Sequence, residues 1–279
     1  MKNKRWISTE KLTGHYVFLF LFSVIVIAPF LWTISASLKT RDQFTTRPGT
    51  FPNPIRLQNY SDAFLAVNFP NLFKNSIFIS TVSVIGAVFV TSLAAFVFAR
   101  YRFRINKFLF NYFLIGMMIP INAAIIPLFL GFRNIGLTNT YLGVIIPYIT
   151  FQIPMGVFLL TNYMKIIPME LEESAEIDGC GAIRLFTHII MPLSRPILAT
   201  FAIISFMGLW NEFLFVLVLL TGERFHTIPL GLATFRGQYD TNTTVMLAGT
   251  IISIIPTIII YVLLRNNIIK GLTSGALKG

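Results

Sequence analysis

Apolar residues fall into six long runs separated by polar or charged stretches. The runs cover approximately 16–38, 76–98, 108–132, 141–164, 197–220 and 245–264. A helix needs about 20 apolar residues to cross the roughly 30 Å hydrocarbon layer of a bilayer. Each run meets that length, so the pattern predicts six transmembrane helices. Pro29, Pro120, Pro127, Pro147, Pro154 and Pro256 lie inside the runs. Neighbouring membrane helices can satisfy the carbonyls that a proline frees, so the count stands. The first run lacks a small-residue cleavage site and is longer than the apolar region of a signal peptide. It is expected to stay as a membrane anchor.

The stretches between the runs set the orientation through their Lys and Arg content. The first tail carries Lys2, Lys4, Arg5 and Lys11, and the second loop carries Arg100, Arg102, Arg104 and Lys107. The last tail carries Arg265, Lys270 and Lys278, whereas the third loop has only Arg133 and the fifth has Arg224 and Arg236. The bias places both termini and the second and fourth loops in the cytoplasm. The expected organisation is a cytoplasmic tail over 1–15, a membrane domain over 16–265 and a cytoplasmic tail over 266–279. Loop 39–74 contains Pro48, Gly49, Pro52, Pro54 and Pro70. Such residues favour an ordered but irregular external cap.

Composition narrows the class further. Apolar residues make up 55% of the 279 and charged residues 12%, where a soluble domain carries roughly 25% charged. The net charge of +11 could suggest nucleic acid. The basic residues flank the apolar runs, however, so the expected partner is the lipid bilayer and not nucleic acid. His15, His188 and His226 lie far apart without metal-ligand spacing. A Gly-x-x-x-x-Gly-Lys-Ser/Thr phosphate loop is absent from the sequence. No metal, no cofactor and no catalytic residue is expected, and the chain is not expected to bind or hydrolyse ATP itself. Cys180 has no second cysteine to pair with and reads as a small turn residue.

The fourth loop, 165–196, breaks the basic trend. Glu170, Glu172, Glu173, Glu176 and Asp178 are five of the chain's 11 acidic residues. Pro168 suits a first helical position, and the acids complement the positive end of a helix. Leu171, Ala175 and Ile177 give a modest apolar side. Gly179 and Gly181 are helix stops, and a second short apolar stretch runs over 183–191 to Pro192. The pattern predicts two short helices around a glycine turn, outside the membrane. Such a pair can dock in a groove on a partner or can be a solvated interfacial helix. Glu212, with Asn211 beside it, is the acid that falls inside an expected span, roughly 22 Å along the helix from Ile197. Intramembrane ionisable groups usually face a cavity or a partner. The two could line a hydrated cavity or could hydrogen-bond to neighbouring helices.

Glu173-Ser174-Ala175, three residues, Gly179, nine residues, Ile189 and then Pro192 resemble the EAA motif of permease subunits in binding-protein-dependent ABC importers. The motif has Ala and Leu where this chain has Ser174 and Met191. Phe51-Pro52, Asn59-Tyr60, Trp210-Asn211-Glu212-Phe213 and the end 270–279 resemble the carbohydrate-uptake branch, and the smaller permease subunit of maltose-type importers in particular. The resemblance implies an all-α membrane protein of the type I importer permease fold, with six transmembrane helices and a cytoplasmic coupling-helix loop. It implies a coupling role toward an ATPase for Glu172, Glu173, Ser174, Ala175, Asp178, Gly179, Ile189 and Pro192. The implied partners are a second, distinct permease subunit, two ATP-binding subunits, an extracellular or periplasmic sugar-binding protein and a sugar substrate. The other classes open to this sequence are an ion-coupled six-helix transporter and a non-transporting scaffold. Glu212 alone offers little for ion coupling.

Overall fold

The computed structural model describes the backbone of residues 9–238 and 242–276 and the side chains of 14–233 and 242–262. Lys2, Lys4, Arg5 and Lys278 lie outside the described residues, as do the side chains of Lys11, Arg236, Arg265 and Lys270. No strand occurs among the described residues. The chain divides into two compact units, one from the chain up to Val67 with Thr234–Ile254, the other from Asn68–Ala233 with the chain from Ile255 onward.

The first unit begins with α1 (Thr9–Ser37), whose most apolar stretch buries none of its residues. A helix apolar all round and unburied in its own chain suits lipid. The cap after it is more regular than the proline content predicts, with α2 (Arg41–Thr46) and α3 (Gln58–Ala66). Thr40 explains α2, because its hydroxyl accepts from the Gln43 N–H at 3.2 Å, a side-chain N-cap. The buried Lys39 ammonium donates to the carbonyls of Pro48 at 2.6 Å and Arg47 at 3.2 Å. Asn59 donates to the carbonyls of Ser37 and Lys39 at 2.7 and 2.8 Å. Buried polar groups must be paired, and these pairs order the cap.

The second unit is built on α4 (Phe69–Arg100) and α7 (Tyr141–Met164), which pack side by side. Pro70, expected in the loop, stands in the first turn of α4, where its missing N–H costs nothing. The predicted bounds of α7 coincide with those observed. Lipid offers no hydrophobic drive for helix association, so small residues that allow close approach carry it. At Gly156 a Cβ would fall 2.6 Å from both Thr91 Cγ2 and Phe201 Cζ. Phe201 belongs to α11 (Arg195–Trp210), so Gly156 lets three helices meet. Asn75 on α4 donates to the carbonyls of Arg224 and His226 at 2.8 and 2.9 Å and accepts from the Tyr141 hydroxyl at 2.8 Å. These bonds fasten the fifth loop to the second turn of α4 and the first turn of α7.

Two expected helices are not straight rods. The run 108–132 forms α5 (Asn106–Ile115) with a 3-10 turn, then α6 (Ile121–Asn134), bent by 96°. Of the six prolines, Pro120 alone sits outside a helix. It forces Ile119 to ψ 116, as a proline does to the residue before it. The run 197–220 is interrupted after α11 and resumes as α12 (Leu214–Leu219). After α13 (Ile228–Gln238), α14 (Thr243–Ala276) continues past the predicted end at 264, so the expected tail over 266–279 is helical as far as Ala276. Among the described residues, four helices are long and apolar enough to cross a membrane alone, or up to six spans if each of two bent pairs counts as one. The second pair is Ala182–Leu193 with Arg195–Trp210, bent by 74°.

Candidate functional site

The fourth loop folds as its pattern predicts, with shifted limits. Helix α8 (Glu170–Ile177) starts two residues after Pro168, with three acids in its first turn. It closes with two bonds, Gly179 N–H to the Glu176 carbonyl at 3.0 Å and Cys180 N–H to the Ala175 carbonyl at 2.9 Å. That pair is the Schellman arrangement, which needs a left-handed residue at the turn. Gly179 supplies it with φ +76, and the space where its Cβ would stand is open. Then come α9 (Ala182–Leu185), a π turn over Phe186–Ile190 and α10 (Met191–Leu193). The stretch expected to end at Pro192 therefore reaches Leu193 before the bend into α11.

This loop has two faces. Ala175, Leu185 and Ile190 are buried in one apolar cluster with Ala95, Met164 and Phe201, and Ile189 packs against it. Pro192 is half-buried. Of the apolar side expected from Leu171, Ala175 and Ile177, only Ala175 turns inward, because the buried side is set by the i, i+3 pair of Glu172 and Ala175. Glu173, Ser174, Asp178 and Gly179 are exposed. Ile177 is 87% exposed and Ile183 82%, which leaves two bare aliphatic side chains flanking the glycine turn.

Glu172, expected among the docking acids, faces into the protein. Its carboxylate pairs with the guanidinium of Arg100, the last residue of α4, and the two side chains are 7% and 5% exposed. Arg100 also donates from Nη2 to the Ile167 carbonyl at 3.2 Å. Burial pushes the Glu172 carboxyl above its ordinary range, against the opposing pull of Arg100. In the sequence Arg100 stands out only as one of the basic residues that set topology. Spacing along the chain gave no sign of this pair, since the partners belong to separate elements.

Glu212 stands at the break between α11 and α12. Its Oε1 accepts from the Leu214 N–H at 2.7 Å and the Phe215 N–H at 3.0 Å. Its Oε2 accepts from the Tyr148 hydroxyl at 2.6 Å. The acid thus caps α12, satisfying N–H groups that a helix start leaves open. Of the two roles the sequence left open, the geometry supplies the bonds to neighbouring helices. Asn211 is exposed and its side chain donates to the Met207 carbonyl at 2.8 Å. Nothing in the structure brings Asn211 and Glu212 to the fourth loop, which packs around the opposite end of α11.

The comparisons agree with this architecture. Residues 87–268, which include the whole fourth loop, match the family model described as binding-protein-dependent transport system inner membrane component. The trehalose/maltose transport system permease protein of Thermococcus litoralis is 35% identical, covering 93% of this chain and 94% of that protein. The galactooligosaccharides transport system permease protein of Bacillus subtilis is 32% identical, covering 100% of this chain and 99% of that protein. A crystal structure of a bacterial ABC transporter involved in the import of the acidic polysaccharide alginate superposes with TM-score 0.80 at 24% identity, covering 94% of this chain and 98% of that one. It shares the fold, the type I importer permease arrangement that the sequence led us to expect. This chain is a multi-pass membrane protein and a member of the binding-protein-dependent transport system inner membrane component family, a permease subunit of an ABC transporter.

Proposed function

We propose that the chain forms, with a second and distinct permease subunit, the import pathway for a sugar or oligosaccharide. Two separate ATP-binding subunits power it and an external sugar-binding protein loads it. Both termini and the fourth loop lie on the cytoplasmic side. The observation that carries this reading is the two-faced fourth loop. One face is locked into the helix bundle, and the other presents Glu173, Ser174, Ile177, Gly179 and Ile183 bare. An exposed helix face with aliphatic anchors suits a groove on a partner. The sugar class is supported by the names of the relatives and by the resemblance at 210–213. Within the pathway, Asn211 is the residue offered to substrate, and Glu212 shapes the break behind it.

A mild-detergent pull-down from native membranes tests the docking. Wild-type chain should bring down a P-loop ATPase in stoichiometric amount, and Glu173→Arg should lose it. A chain that purifies alone, under conditions that preserve complexes, overturns the reading. Gly179→Asp puts a side chain in the left-handed region, which costs roughly 1–2 kcal/mol, and adds an obstacle on the face offered to the partner. Import should fall more than about tenfold while the membrane domain stays folded, because a Cβ at this position meets nothing within 4 Å. Import at the wild-type rate would remove the turn from the coupling role. Uptake should stop on ATP depletion and survive collapse of ion gradients; the reverse pattern would favour an ion-coupled carrier.

A further inference from the structure

Helix α8 has eight residues, and only Glu172 and Ala175 among them are buried. A helix this short does not hold itself together in water, so its attachment to the bundle decides how it moves. Ala175 contributes one methyl group to the apolar cluster. A methyl contact resists compression but not sliding or lifting. The other attachment is an ion pair between elements: the Glu172 carboxylate on Arg100, with Arg100 itself donating to the Ile167 carbonyl at 3.2 Å. Arg100 ends α4, the helix that packs along α7 and against α11. The junction therefore joins the docking element to the helix at the centre of the second unit.

We infer that Arg100 and Glu172 form the strut that makes α8 and α4 move as one body, so that displacement of α8 by a partner subunit is carried into the membrane helices. Both are positioning residues; neither touches substrate. The inference rests on the ATPase-docking reading proposed above. A purely stabilising role fits the pair poorly. Taking two charges out of water costs more than pairing commonly returns, and burial holds the Glu172 carboxyl above its ordinary range even with Arg100 beside it. What the junction provides is a charged link from α8 to the end of α4.

The test uses the assembled transporter, purified from membranes with its partner subunits and placed in lipid nanodiscs. With Cys180 replaced by Ser, spin labels are attached at positions 170 and 97, both exposed and both away from the glycine turn. The distance between them is measured without nucleotide and in the vanadate-trapped ATP state. In the wild-type pair it should stay fixed, because α8 and α4 move together. In Glu172→Gln, in Arg100→Gln and in the double variant it should shift by about 1–2 Å on trapping, the scale of helix movements at interfaces. The double variant should shift no more than either single one, as partners in one interaction do. Unchanged distances in the variants, a shift already present in the wild type, or additive shifts in the double variant each overturn the strut. Loss of the ATPase from the variants alone would reassign the pair to docking and likewise overturn it. Absence of an ATPase from the wild-type preparation would instead bring down the docking reading itself.

Discussion

The fourth loop and the break at 211–213 each hold a glutamate that turns inward, and they satisfy its charge in different ways. Glu212 is answered by two backbone N–H groups and a tyrosine hydroxyl, with no cation among its bonding partners. The break that creates the open N–H groups and the acid that fills them lie within four residues of each other, so they form a single local device. Glu172 is answered by Arg100 from another helix. Here each partner depends on a distant one, and loss of either strands the other in a buried place. The lesson is that the local device should degrade gradually and the distant one abruptly.

Arg100→Gln should give the largest effect, because it leaves the Glu172 carboxylate buried without its cation. Breaking a buried pair on one side costs about 3 kcal/mol or more. Amide exchange over α8 should then accelerate by roughly a hundredfold, since each 1.4 kcal/mol is a factor of ten, with the rest of α4 little changed. Adding Glu172→Gln should return most of that protection, because no charge remains to be stranded. Unaltered exchange in Arg100→Gln would mean that the carboxylate finds water or another donor, and the contrast with Glu212 would lose its basis. Glu212→Ala should cost about 1 kcal/mol, the usual worth of a helix cap, seen as faster exchange at Leu214 and Phe215 only. Tyr148→Phe removes one of the acceptor's bonds and should cost about 0.6 kcal/mol, the average for hydrogen bonds between membrane helices. Equal losses in these two variants would show that the hydroxyl, and not the cap, holds Glu212.

The sequence pattern made the helical class, the span of α7 and the helix–glycine–helix form of the fourth loop legible, because each rests on local signals. Apolar run length sets a span, and a left-handed glycine ends a helix wherever it stands. The signals for the two breaks were present but ambiguous. Pro120 looked like the five tolerated prolines until the fold gave Ile119 an extended backbone. Glu212 followed by an apolar run is a capping pattern, yet inside a long apolar run it reads as a buried charge. The face of α8 and the Arg100–Glu172 pair were out of reach. They depend on which side of an eight-residue helix meets the bundle, and the apolar side expected from Leu171, Ala175 and Ile177 is not that side, since Leu171 and Ile177 are exposed.

The smallest expected effect is a pH dependence that separates the same two acids. The carboxyl of Glu172 lies above its ordinary value in the folded loop, mainly through burial, with Arg100 opposing. In the opened loop it returns to the ordinary carboxylate value of about 4.3. Between these two values the closed form binds more protons than the open one, so closure weakens as pH rises through that window. It is strongest below the ordinary value and levels off above the raised one. Amide exchange over α8, corrected for intrinsic rates, should therefore show a modest loss of protection as pH climbs from about 4, and Glu172→Gln should abolish the slope. A gain of protection with rising pH would mean that Arg100 outweighs burial. Glu172 would then be held below its ordinary value, and the junction would be chiefly a stabiliser, closer in kind to the cap at Glu212.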